Sequence, residues 1–417
     1  MNIAVLGYGV VGTGVVEIIN SNKERLEART GKTAEVTKIL DIRDIPNDPN
    51  AHLLTKNADE IFNDASIEIV VETIGGAGIA FELTKRALTS GKSVVTSNKE
   101  LVATHGPELL QMAAENNAIY MFEASVGGGI PIIRPLYNCL AANEIHHIIG
   151  ILNGTTNYIL TAMKKDGKSF EAALKEAQEK GYAESDPTAD VEGHDACRKI
   201  AILSSIAFNE FVDYKDIETE GISNVTLEDM TIVDSKDYAI KLVGESIKTE
   251  NGIFARVSPV LLPKSNPLSN VDDVFNAIMV DGDAVGTAMF YGRGAGKMPT
   301  ASAVVADVMD IMKKCTCNEQ TNLWSRENKS PLLTKDMLTS KYYLKLSSSE
   351  NLDALKSTIN EIFGKQNYIY SNLKDNVSIT SFITDLDSEA NIEKFIELAK
   401  ERSIAVLSKI RVISSEI

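Results

Sequence analysis

The sequence predicts an α/β protein built in three parts. A doubly wound parallel sheet comes first, an α+β region with a largely antiparallel sheet second, and a small β-α-β-β-α-β domain last. Three observations carry this. A glycine-rich turn joins a strand to a helix within the first dozen residues, two Gly-containing hairpin signals fall between positions 245 and 291, and the C-terminal stretch alternates strand and helix patterns in split order. At 417 residues the chain is also too long for one compact core.

Asn2-Ile3-Ala4-Val5-Leu6 reads as a strand and runs straight into Gly7-Tyr8-Gly9-Val10-Val11-Gly12. An apolar helix pattern follows at Val15, Val16, Ile18 and Ile19. In that setting the first glycine permits the turn and the second admits a pyrophosphate against the backbone. The third lets helix pack on strand, and the helix N-terminus faces the anion. The pattern specifies a Rossmann dinucleotide-binding sheet. The second strand, 36–40, ends at Asp41-Ile42-Arg43-Asp44. An acid there suits the ribose hydroxyls of NAD and an arginine the extra phosphate of NADP, so both cofactors stay open.

A strand at 67–73 closes with Thr73 before Gly75-Gly76, and a helix is expected at 81–89. The next strand, Ser93-Val94-Val95-Thr96, ends at Ser97-Asn98-Lys99-Glu100. Lys99 thus stands at the carboxyl end of a parallel strand, where ligand-facing groups collect; an ordinary surface lysine is the competing reading. Gly91-Lys92-Ser93 imitates the tail of a phosphate-binding loop, but Arg86 stands where that loop needs glycine and a strand follows, so the motif is rejected. A strand at 118–122 leads to Glu123-Ala124-Ser125-Val126-Gly127-Gly128-Gly129-Ile130-Pro131. Three glycines expose backbone carbonyls that, with Glu123, can hold a hard cation; an interdomain hinge competes with that reading.

In the middle part a strand at 145–152 enters Asn153-Gly154-Thr155-Thr156-Asn157, a polar turn before a helix from Tyr158. A helix over 170–179 ends at Lys180-Gly181, and an acidic loop carries Glu184, Asp186 and Asp190 around Pro187. After Gly193 the pattern is helical through Ala196, Ile200, Leu203 and Ala207, so Asp195 and Lys199, four apart, share one face. A solvated loop and an ordinary ion pair are the bland alternative. Hairpins are expected around Glu250-Asn251-Gly252 and Asp281-Gly282-Asp283. The run Gly292 to Thr300 opens a helix over 301–313, where amides such as that of Gly294 can meet a cofactor or simply turn between domains. No His-Glu-x-x-His or Gly-x-Ser-x-Gly occurs, which leaves hydrolase chemistry without a foothold.

The 42 basic against 58 acidic residues give a net charge of −16, which argues against nucleic-acid and anionic-membrane partners. No apolar run reaches membrane-spanning length, and the opening strand leaves no room for a signal peptide, so a cytoplasmic location is expected. Of four cysteines only Cys315 and Cys317 pair by spacing, a weak metal signal, and reduced thiols are expected.

Taken with Ser97-Asn98-Lys99, the stretch from Gly181 to Lys199, Glu123 to Pro131 and Pro299-Thr300-Ala301-Ser302-Ala303-Val304, the glycine motif makes nearly the whole chain resemble homoserine dehydrogenases. The resemblance implies reversible hydride transfer between L-homoserine and L-aspartate 4-semialdehyde with NAD or NADP, on the route to threonine and methionine. By analogy Lys199 is the proton donor, Asp195 orients it, and Lys99 is the second lysine of the site. Glu184 and Asp190 would grip the substrate ammonium, with Thr155 nearby. Cofactor contacts would come from Gly7, Gly9, Val10, Val11, Gly12, Arg43, Thr73, Lys99 and Gly294. A sodium- or potassium-type site is implied at Glu123 and the carbonyls of Val126, Gly128 and Ile130. The expected division is residues 1–130 with a returning helix near 301–325, then 131–300, then an ACT-like domain at 335–417, in a homodimer or homotetramer. ACT domains commonly carry Asp-x-Pro-Gly after their first strand; here the run is Glu350-Asn351-Leu352-Asp353, so the usual effector position does not carry over. The competing class is a dinucleotide-sensing regulatory protein without turnover.

Overall fold

The computed structural model describes residues 1–313 and 324–413. They form two compact units: Met1–Ile148, Arg198–Ile217 and Asn276–Ser330 in the first, and Ile149–Cys197, Glu218–Phe275 and Pro331–Ile417 in the second.

The first unit begins with β1 (Asn2–Leu6), α1 (Val10–Ser21), α2 (Lys23–Thr30), β2 (Glu35–Leu40) and the short β3 (Leu54–Thr55). It continues with α3 (Asp59–Phe62), β4 (Ile67–Glu72), α4 (Gly78–Thr89), β5 (Ser93–Thr96), α5 (Lys99–Glu115) and β6 (Tyr120–Met121). The six strands pair in the order β3-β2-β1-β4-β5-β6, every pairing parallel. That order reverses between β1 and β4, and ligands of such sheets bind beyond the strand carboxyl ends at that reversal. β1 from Ile3 to Leu6 and β4 from Ile69 to Val71 are apolar and buried on both faces, as strands covered by helices on each side must be.

The chain leaves this sheet through β7 (Ile145–Ile151), α6 (Gly154–Asp166), α7 (Phe170–Glu179), the single turn α8 (Thr188–Val191) and α9 (His194–Phe208). α6 starts at Gly154, not Tyr158, because the Asn153 side chain accepts the Thr156 amide and caps the helix there. β8 (Glu218–Thr219), α10 (Leu227–Asp234), β9 (Tyr238–Thr249) and β10 (Gly252–Pro263) follow. The expected hairpin is present and longer than predicted, Thr249 facing Gly252 and Tyr238 facing Pro263. β11 (Phe275–Gly282) and β12 (Gly286–Arg293), the second hairpin, are neighbours in the first unit.

α11 (Lys297–Met312) then returns to the first unit's core. Its Ala301, Val304 and Val308 share one cluster with Val15 and Ile19 of α1 and with Ile3, Val5, Ile69 and Val71 of the sheet. A Cβ on Gly14 would stand 3.0 Å from that of Ala301, so the two helices pack closely. The predicted extension of this helix to 325, and the Cys315–Cys317 pair, lie outside the described residues.

In the second unit β13 (Thr339–Ser348), α12 (Leu352–Phe363), β14 (Tyr368–Lys374), β15 (Val377–Ile383), the short β16 (Asp387–Ser388), α13 (Glu389–Glu401) and β17 (Ala405–Val412) complete the chain. Sheet order β17-β13-β15-β14 with two helices is the ferredoxin-like arrangement predicted. Its core gathers Tyr342, Leu344, Leu355, Ile359, Phe382, Ile392 and Ile396. This sheet is not separate from that of β9 and β10: β17 pairs in parallel with β10, Arg411 beside Val260 and Val412 beside Leu261.

Candidate functional site

In the first unit the turn after β1 is built by hydrogen bonds from three strands. Gly7 donates its amide to the Leu40 carbonyl at 2.9 Å, and the Thr73 hydroxyl donates to the Gly7 carbonyl at 2.8 Å. Gly7 sits at φ +90, and a side chain on Gly12 would drive into the Gly7 carbonyl and the Thr73 hydroxyl. Nothing lies within 4 Å of the place a Gly9 Cβ would take, so the turn leaves room where a phosphate approaches. α1 has no side-chain cap and no acid in its first turn. The amides of Val10, Val11 and Gly12 thus head an uncapped helix, which suits a dinucleotide pyrophosphate.

Beside the turn, Asp41 accepts the Tyr8 amide at 2.8 Å and a two-pronged contact from Arg43, whose Nη2 also donates to the Tyr8 carbonyl. The Arg43 guanidinium and these hydrogen bonds hold the Asp41 carboxyl far below the usual carboxylate range. Asp41 is therefore a charged strut of the turn, while the Arg43 side chain stays more than half exposed.

Lys99 is the first residue of α5, whose cap is Asn98 accepting the Leu101 amide. A cation at a helix N-terminus opposes the helix dipole, a local disadvantage that fits a ligand-facing role better than a structural one. Asn98 also donates to the Ile74 and Gly76 carbonyls, fixing the loop after β4. Under that loop lies Glu72, fully buried, accepting from the Thr96 hydroxyl and the Ile74 amide. Burial pushes its carboxyl up to about 7 against those hydrogen bonds.

Glu123 is committed elsewhere than the sequence suggests. Its carboxylate accepts the amides of Ile132, Ile133 and Arg134 at 2.7, 2.9 and 2.7 Å, all in buried or half-buried surroundings. Those bonds engage the carboxylate in bracing the 132–134 turn, and no cluster of three or more His, Cys, Asp or Glu among the described residues fits a metal. The main-chain carbonyls of Val126, Gly128 and Ile130 remain hard oxygen donors of the right type. Gly294 packs its backbone against Gly128 and against the Asn276 side chain, leaving no space for a Cβ at either glycine. Lys92, of the rejected phosphate-loop motif, is buried and donates to the Asp64 and Ile67 carbonyls.

In the second unit the predicted acids converge on one residue that the sequence reading treated only as part of a polar turn. Asn153 Nδ2 donates to Asp190 at 2.7 Å and to Asp195 at 2.9 Å. The Thr155 hydroxyl donates to the Tyr182 carbonyl at 2.7 Å, tying α6 to the turn after α7. Gly193, at φ +82 and hard against Thr219 and Val257, lets the chain reverse between α8 and α9 and so aims Asp190 and Asp195 together. Glu184 is exposed on the same loop, its carbonyl accepting from Gln178. Asp195 and, one turn further along α9, Lys199 are both buried. Both stand on α9 four residues apart, and their burial separates them from a solvated surface pair. Asn153 was missed because its link to Asp190 and Asp195 spans about forty residues; its place beside Gly154 at a helix start was the only local signal.

A dinucleotide turn on a doubly wound sheet, with a buried lysine–carboxylate helix face, defines an NAD(P)-dependent oxidoreductase. Comparison with known proteins narrows this. The family "Homoserine dehydrogenase, NAD binding domain" matches residues 7–123 and "Homoserine dehydrogenase" matches 131–309. The homoserine dehydrogenase of Pseudomonas aeruginosa is 40% identical over 84% of this chain and 82% of its own, and that of Corynebacterium glutamicum 39% identical over 99% and 95%. The crystal structure of a homoserine dehydrogenase from Thiobacillus denitrificans superposes with a TM-score of 0.91 at 37% identity, covering 99% of this chain and 98% of that one. The chain belongs to the homoserine dehydrogenase family.

Proposed function

We propose that the chain interconverts L-aspartate 4-semialdehyde and L-homoserine, with Lys199 as the proton donor and acceptor. When bound, the nicotinamide supplies or takes up the hydride. The protein's task is then charge and position. Reduction develops negative charge on the aldehyde oxygen, and the Lys199 ammonium both neutralises it and hands over the proton. Asp195, one turn earlier on α9, holds that ammonium in place. Asp190 and the exposed Glu184 take the substrate ammonium, Thr155 shapes the wall beside them, and Lys99 is the second cation of the site. Gly7, Gly9, Val10, Val11, Gly12 and Thr73 receive the dinucleotide, with Gly294 as a further backbone contact. Arg43, paired with Asp41 but more than half exposed, is the group that meets a ribose phosphate, so NADP is accepted alongside NAD. A sodium or potassium ion, where present, is held by the carbonyls of Val126, Gly128 and Ile130, with the Glu123 side chain bracing the loop. The functional modules are residues 1–130 with α11, 131–300, and an ACT-like regulatory segment at 335–417, in a cytoplasmic homodimer or homotetramer.

The observation that supports the reading most is the convergence of Asp190 and Asp195 on Asn153 one helical turn from a buried lysine. The test is nicotinamide absorbance with L-homoserine, run with NAD and with NADP, with and without sodium or potassium. Wild type should reduce a cofactor, and Lys199→Ala should lose about 100-fold or more in kcat while still binding dinucleotide. A wild type that binds dinucleotide without turnover would instead point to a sensor.

A further inference from the structure

We infer that Asn153 is a positioning residue for the reaction: its single amide nitrogen holds Asp190 and Asp195 in register while its oxygen anchors them to the start of α6. The inference rests on the roles proposed above for those two acids. Asn153 is 6% exposed and every polar atom of its side chain is engaged. Nδ2 donates one hydrogen to Asp190 Oδ1 and the other to Asp195 Oδ2. Oδ1 accepts the Thr156 amide at 2.8 Å and the Thr156 hydroxyl at 3.1 Å. The orientation of the amide follows from chemistry: a backbone N–H can only donate and two carboxylates can only accept, so oxygen and nitrogen cannot be exchanged.

A helix cap alone does not explain this residue. Aspartate and serine cap as well as asparagine does. Only a primary amide offers an acceptor for the cap together with two donors on one atom, without adding charge. Two carboxylates drawn together repel, and a neutral double donor between them offsets that repulsion while fixing their separation. One of the two acids stands on the turn proposed to take the substrate ammonium, the other on the helix face that carries Lys199. The distance between ammonium site and proton donor is therefore set in part by Asn153.

Asn153→Ser and Asn153→Asp separate capping from bridging, since both keep a competent cap and both lose the double donor. The expected result is a folded protein with unchanged dinucleotide KM that melts somewhat lower than wild type, the aspartate variant lowest because it adds a third carboxylate. Its kcat/KM for L-homoserine should fall about 10- to 100-fold in the serine variant and further in the aspartate variant. The acid limb of the pH–rate profile should move to higher pH, because carboxylates that lose a donor hold protons more firmly. Asn153→Ser with wild-type kcat/KM and an unmoved pH profile would overturn the proposal and leave Asn153 a cap. Lys199→Ala assayed in parallel keeps the two readings apart. If that variant is dead and Asn153→Ser is not, only the positioning role fails; if the wild type never oxidises homoserine, the function reading fails first.

Discussion

Glu72 shows what a single buried side chain imposes on the pH response. Its carboxyl titrates near 7 in the folded protein against 4.5 ordinarily, because burial outweighs the donors around it. A raised folded pKa means the native state binds the extra proton between those values, so this contribution is complete below pH 4.5 and disappears as pH rises through 7. The swing is on the order of 3 kcal/mol. Glu72→Gln keeps an acceptor for the Ile74 amide and the Thr96 hydroxyl but cannot ionise, so its melting temperature should fall less than the wild type's between pH 5 and 8. Parallel thermal melts check this, and equal slopes would show that Glu72 stays ionised. At this scale the sequence was legible where one residue type has one use. Gly7, Gly9 and Gly12 were readable because spacing alone restricts what they can do. Glu123 was not, because the three amides its carboxylate accepts belong to a turn whose path no local pattern specifies. The same holds for Asn153, whose two acid partners arrive from α8 and α9, about forty residues on.

Among elements, the α8–α9 junction carries most of the site's geometry. Gly193 is left-handed there, with Thr219 and Val257 each 3.1 Å from where a Cβ would stand and the Glu220 carbonyl at 3.4 Å. Gly193→Ala adds both backbone strain and crowding, about 1–3 kcal/mol together. The consequence for function is selective, because the turn sets Asp190 against Asp195 and touches nothing in the first unit's glycine turn. KM for L-homoserine should rise severalfold with KM for the dinucleotide unchanged, measured by steady-state kinetics at saturating partner. Equal change in both constants would mean the substitution loosens the whole protein. Helices and hairpins were largely readable from periodicity: Phe170–Glu179 falls where the pattern put it. Starts shifted, at Gly154 for α6, where Asn153 caps the helix, and at Lys297 for α11, which begins after the positive-φ Gly296 without a side-chain cap.

Over the whole second unit, the C-terminal segment is bound to the β9–β10 region by buried charge as well as by β17. Glu389, 1% exposed, accepts from Arg256 at 2.7 Å and from Lys409 at 2.6 Å, with the Tyr342 hydroxyl at 3.2 Å. Burial alone would raise its pKa, but Lys409 and Arg256 hold it down to about 2. Arg411 of β17 likewise pairs with Glu245 of β9, and Lys345 with Asp229 at 2.9 Å. Glu389→Ala would leave Arg256 buried beside only the more distant Glu218 and Glu220, costing about 3–5 kcal/mol. Denaturant unfolding should show that loss, together with weakened homoserine turnover, because Glu218 and Glu220 flank the segment that supports Gly193. A stability change below about 1 kcal/mol would mean that the segment is held by its backbone pairing alone. The sequence announced the β-α-β-β-α-β order but not this union, since a parallel pairing between β10 and β17 leaves no turn between them to read.

That pairing has a consequence during synthesis. Val260 meets Arg411 only after about 150 further residues have been made, a high-contact-order closure that folding cannot start early. Until β17 leaves the ribosome, the Val260–Leu261 stretch of β10 has an open edge, while β8 already covers Arg256 and Val257. Nascent or prematurely terminated chains would therefore expose the apolar Val260–Leu262 edge to one another rather than to its proper partner. Truncation that removes β17 should thus appear first as insolubility, before any change in turnover is measurable.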